Sequence, residues 1–157
     1  MGLAGPARAT EPRRRADSTG SRGGEDRLLR WAAALYALGL AAHTADHIRR
    51  GTGVLSPEVY WAGMVSTAAG VATVVLVAVR HRLAALAAAL LGVPVAVGVA
   101  AVHLLPHWSA LSDAFPGAQA TGVTPLSWTV VLVEIAGALA LGVAGIRALR
   151  SAAPSGG

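Results

Sequence analysis

The chain of 157 residues contains no cysteine, which excludes disulfides and every thiolate metal site. A transition-metal site here has to be built from histidine, carboxylate or, weakly, methionine. Lysine is also missing, so all 13 cations are arginines. Charge is scarce: 13% of residues carry it, against about a quarter in an ordinary soluble domain. Hydrophobic residues make up 54%. A chain this apolar cannot cover its own surface with polar groups, and a lipid solvent removes the need to. Phosphate-binding and dinucleotide-binding glycine motifs are lacking. No glycine frame surrounds Ser109 or Ser112, so a hydrolytic triad with Asp113 has little support.

What is present is a short arginine-rich stretch and four long apolar runs. Residues 1–26 are rich in Gly, Pro, Arg and Ser, which reads as a disordered tail. Arg13, Arg14 and Arg15 could open an export signal, but the apolar run that follows is too long for one, so the tail reads as retained. Residues 27–150 form the membrane domain, with spans expected at 28–48, 57–79, 83–105 and 126–149, and 151–157 as a second tail. The expected fold is all-α, a four-helix transmembrane bundle.

Net charge is +5, which would suit nucleic acid, but the arginines flank apolar runs, and that placement is a topology signal. The expected partner is the lipid bilayer, with a homo-oligomer or a membrane partner subunit as further options, and no nucleic acid. With the N-terminus inside, Arg80, Arg82, Arg147 and Arg150 join the tail on the inner side, and Arg49 and Arg50 alone lie outside. The expectation is a multi-pass protein of the cell membrane with both termini cytoplasmic. Tyr60, Trp61, Trp108 and Trp128 fall at the expected outer interface and Trp31 at the inner one, where amphipathic rings are favoured. Rows of small residues (Gly63, Thr67 and Gly70; Ala138 and Gly142) read as helix-packing seams. Pro94 should kink the third span or free a carbonyl.

The chemistry gathers at one face. His43, Asp46 and His47 share a helical face at the end of the first span, and His103 and His107 are again four apart at the end of the third. Glu134 lies inside the fourth span, about 12 Å from its outer start. A carboxylate at that depth is expensive and needs a partner, expected to be a histidine, Arg49 or Arg50. The leading reading is a metal site with His43, His47, His103 and His107 as ligands and Glu134 or Asp46 as a further ligand or orienting base. Imidazole suits zinc, copper and iron, and haem b ranks below a bare ion because it needs one histidine per helix. A role in metal handling or in a redox complex would follow. The competing readings are an assembly subunit whose polar cluster only fixes helix register, and a proton-coupled transporter of small solutes.

The run His103-Leu104-Leu105-Pro106-His107 resembles the His-x-x-Pro-His element of some ZIP zinc transporters. The resemblance covers five residues and implies zinc at these histidines, but Leu104 and Trp108 stand where that family has acidic residues. Membrane fatty-acid desaturases and hydroxylases also use His-x-x-x-His pairs, with many more histidines. Taken whole, the chain is similar to small, alanine-rich, four-span membrane proteins of high-GC bacteria, a likeness carried by the His-x-x-Asp-His and His-Leu-Leu-Pro-His-Trp-Ser runs. It implies a fold and no activity.

Overall fold

The structure is a computed structural model that describes residues 11–117 and 121–153. Among these residues there are four α-helices and no strand: α1 (Glu11–Arg50), α2 (Pro57–Ala78), α3 (Ala84–His103) and α4 (Pro125–Ala152), with a 3₁₀ turn at Thr52–Val54. The first described helix begins at Glu11, not at the expected 28, so 11–26 are helical and continuous with the segment that follows. Pro12 suits a first helical turn, where its missing N–H is no loss. The remainder of the expected tails, 1–10 and 154–157, lies outside the described residues.

Three of these helices, α2, α3 and α4, are long and apolar enough to cross a membrane. α1 falls short because Arg30, His43, Asp46 and His47 interrupt its apolar stretch. The same polar residues that mark a candidate site therefore dilute the membrane signal of the helix that carries them.

Each boundary has a local cause. At the start of α2, Ser56 Oγ accepts a hydrogen bond from the Val59 amide and Pro57 occupies the first turn. The tight α2–α3 turn is made by Arg80, whose φ of 55° lies in the left-handed region, with His81 N bonded back to Leu76 O and Arg80 N to Val77 O. That pair of bonds is a helix-ending motif that satisfies carbonyls left over at the C-terminus. α3 stops at His103, two residues before the expected end. The ring of Pro106 would collide with the Val102 carbonyl, and it turns the preceding residue away from helix.

α4 is the central helix, packed along its length against α1 and α3, and α2 stands at the periphery. Glycines set these contacts. A Cβ on Gly39 would come within 2.6 Å of Glu134 Cα, and one on Gly137 within 2.7 Å of Tyr36 Cα, so α1 and α4 touch backbone to backbone. Across α3, a Cβ on Gly145 would meet Ala89 N at 2.6 Å. Ala138 and Gly142 are buried in this seam, as expected, but Gly63 has nothing within 4 Å of where its Cβ would be. α2 packs mainly through Gly70, Thr73 and Val77 toward one end, while 60–65 at its other end are exposed.

Candidate metal centre

The α1–α4 contact determines where the first imidazole goes. Gly39 brings the Glu134 backbone against α1, and one turn further along α1 the His43 side chain meets the Glu134 carboxylate. His43 Nδ1 donates to Glu134 Oε2, and the two residues are 7% and 2% exposed, so the bond is sealed from solvent. Nδ1 being committed, the nitrogen left to His43 is Nε2, which is buried without a hydrogen-bond partner. His47, one turn on, keeps a buried Nδ1 without a hydrogen-bond partner, with Asp113 Oδ2 3.9 Å away.

The third imidazole comes from the last residue of α3. His103 Nδ1 donates to the Asp113 backbone carbonyl at 3.1 Å, which leaves its Nε2 as the free nitrogen. The loop after α3 folds back onto the helix end: Asp113 N bonds Val102 O at 3.1 Å and Phe115 N bonds His103 O at 2.9 Å. These are carbonyls that a helix C-terminus leaves open. Phe115 is buried and packs on the His103 ring at 4.8 Å. The loop is thus a lid whose backbone completes α3 and whose carbonyl orients a histidine.

The three rings converge. Their centroids lie 4.6 Å (His43–His47), 4.7 Å (His43–His103) and 5.5 Å (His47–His103) apart. One nitrogen from each falls in a group whose members are all within 4.8 Å of one another, a set able to hold a metal ion. Two nitrogens about 2.0–2.1 Å from one zinc ion are at most about 4.2 Å apart, close to the spread of this group. The donor chemistry fits: three imidazoles, two of them with the second nitrogen bonded to an oxygen, as ligating histidines almost always are.

The remaining expected ligands stand apart. His107 is exposed beyond the end of α3, because Pro106 breaks the helix that would have aligned it with His103. Asp46 is buried, but its Oδ1 accepts from Arg49 Nε at 2.9 Å. Its position is about 100° round the helix from His47. Neither Arg49 nor Arg50 reaches Glu134. Arg49 also donates to Gly122 O and Ser127 Oγ, and Arg50 makes two 2.7 Å bonds to the Asp113 carboxylate. Burial pushes the Asp113 carboxyl up, but the Arg50 guanidinium bonded to it outweighs this and holds it below the usual carboxylate range.

Asp113, Arg50 and Phe115 are the members that spacing along the sequence does not assign. The signal for Asp113 and Phe115 was the loop composition alone, with its single acid and the chain's single phenylalanine, and Arg50 at the end of α1 was one of the partners expected for Glu134 instead. Tyr36 is a further one, fully buried two turns below His43 with its hydroxyl unpartnered and facing Gly70.

Beside the centre, under the exposed end of α2, lies a cavity of about 510 Å³. His43, His47, His103 and Glu134 line one wall of it, and the rest is mainly apolar. No family model matches the chain, and the comparisons with curated proteins and with solved structures found no match.

Proposed function

We propose that the chain is a four-span membrane protein that holds one transition-metal ion on His43, His47 and His103, with Glu134 orienting His43 and the Asp113 carbonyl orienting His103. The observation that carries the reading is the convergence of three imidazole nitrogens, two of the rings sealed from solvent, around buried nitrogens that have no hydrogen-bond partner. An unsatisfied polar atom in a buried position is costly, and a cation removes that cost for His43 Nε2 or His47 Nδ1 where it binds them. Zinc, copper and iron suit three imidazoles. A bare ion is favoured over haem, because the rings pack directly against one another and leave no slot between any pair for a macrocycle.

In this reading α1 is the fourth span, its polar residues covered by α4, α3 and the loop. Both termini are cytoplasmic and the centre lies in the outer half of the bundle, following the arginine asymmetry. Because the protein has no cysteine, single cysteines at Ser109 and Ser151 give a clean topology test with a membrane-impermeant maleimide in intact cells. Labelling at Ser109 and not at Ser151 is expected; the reverse pattern overturns the orientation.

The metal reading is tested by elemental analysis of protein purified in detergent and dialysed against a zinc, copper and iron mixture. Wild type should retain about one ion per chain and a His43→Ala/His103→Ala variant almost none. Equal, near-zero content in both sinks the proposal. A role confined to fixing helix register is the second reading, favoured by the sealed His43–Glu134 bond. It predicts a lower melting temperature for His43→Gln with no metal in either protein.

A further inference from the structure

The cavity beside the three imidazoles has features that a site for a bare ion does not require. Its volume, about 510 Å³, is in the range of pockets that take small organic molecules, about 300–1,000 Å³. It is kept open by missing side chains. Gly63 on α2 and Gly98 on α3 both line it, and a Cβ at either would have nothing within 4 Å. Neither glycine has a left-handed φ, so backbone conformation does not require glycine at either position. Every close helix contact described above uses a glycine against backbone, whereas these two face empty space.

Part of the exposed rim lies along the apolar helices. Met64 next to Gly63, and Pro94 one turn before Gly98, line the cavity and are exposed, and they belong to two helices apolar enough to cross a bilayer. Pro94 is ten residues into α3, about 15 Å along its axis. An entrance there opens onto hydrocarbon. His43, His47, His103 and Glu134 line the same cavity, and in the proposed reading the three imidazoles hold an ion by three protein ligands. That leaves a coordination position facing the cavity, the arrangement in which a metal accepts a ligand from outside the protein.

We infer that the centre takes a lipid-soluble ligand entering from the bilayer through the gap at α2: a molecule with an apolar body that fills the cavity and one oxygen-donor head that reaches the imidazole wall. The inference rests on the proposed metal reading and goes beyond it by naming the ligand class and its route.

The test uses full-length protein in phosphatidylcholine nanodiscs loaded with cobalt(II), whose visible absorption reports its ligands. The probes are octanohydroxamate and acetohydroxamate, the same donor head with a long and a short apolar part. The cavity is then filled with Gly63→Leu and Gly98→Leu, which lie outside the metal-holding residues. Octanohydroxamate should shift the wild-type spectrum, and its apparent Kd should rise at least tenfold in either filled variant with cobalt content unchanged. Because the bilayer concentrates the probe equally around every variant, that rise isolates the cavity. Acetohydroxamate should shift all three proteins alike. Equal octanohydroxamate affinity in wild type and both variants, or no shift in wild type that has bound cobalt, overturns the lipid-soluble ligand and leaves the metal centre standing. Failure of wild type to take up cobalt overturns both.

Discussion

Glu134→Gln distinguishes a carboxylate that tunes a metal ligand from one that only fixes a helix. In the native protein Glu134 Oε2 accepts from His43 Nδ1 where the two side chains are 3% and 9% exposed. Glutamine keeps the volume and an oxygen able to accept the same bond, and removes the charge. Loss of a carboxylate that orients a ligating histidine typically weakens metal binding 10–100-fold, which is about 1.4–2.8 kcal/mol. The effect on the metal-free fold should be smaller. The bond to a charged acceptor is worth about 1.5–3 kcal/mol and a neutral one about 0.5–1.5, but the neutral side chain no longer has to hold an anion inside a span. Zinc affinity, measured by competition with a chromophoric chelator, should fall 10–100-fold. The metal-free melting curve, followed by tryptophan fluorescence, should stay within about 1 kcal/mol of wild type. A change in zinc affinity below threefold together with a large drop in metal-free stability would refute the reasoning and leave the carboxylate a helix-register device.

Among the histidines, His47→Ala should lower zinc affinity by at least tenfold, because it removes one of three converging nitrogens. His107→Ala should leave it unchanged; a drop there in equilibrium dialysis would mean that the exposed loop histidine does reach the ion. Arg50→Gln breaks a buried pair with Asp113, the two side chains being 1% and 10% exposed, and should cost about 3 kcal/mol. The measurable consequence is faster proteolysis within the loop that follows α3, and an unchanged cleavage rate would count against the lid. Gly137→Ala forces a Cβ against Tyr36 Cα and should destabilise the bundle by about 1–3 kcal/mol. Gly98→Ala meets open space and should gain about 0.5–1 kcal/mol from the better helix former. Thermal melts that place both on the same side of wild type would contradict the packing described.

The helical layout was legible because it is written in local terms. Apolar runs of about 20 residues, Pro57 and Ser56 at a helix start, and the Arg80-His81-Arg82 turn all act through the nearest neighbours in the chain. The ends of α2 and α3, Pro57–Ala78 and Ala84–His103, accordingly fall within a few residues of where hydropathy ends. The helix before them was harder, because His43, Asp46 and His47 both mark a site and dilute a span.

The site was legible only in outline. Histidine spacing along α1 placed His43 and His47 together, since both sit on one helix whose 3.6-residue period is fixed by the backbone. The same spacing rule failed for His107, because Pro106 ends the helix on which the rule depends. That His103 joins the α1 pair is a contact between separate helices; Glu134 takes His43, and not an arginine, across 91 positions, and Asp113 turns from a loop acid into the anchor of a lid by meeting Arg50 across 63. No periodicity reaches that far. They are decided by how closely Gly39 and Gly137 let α1 approach α4, and by open carbonyls at the end of α3 that draw the loop back over the rings. The sequence by itself determined that the chemistry lies at one end of a helical, membrane-suited chain; the packing of its helices decided which three imidazoles meet and left the cavity beside them.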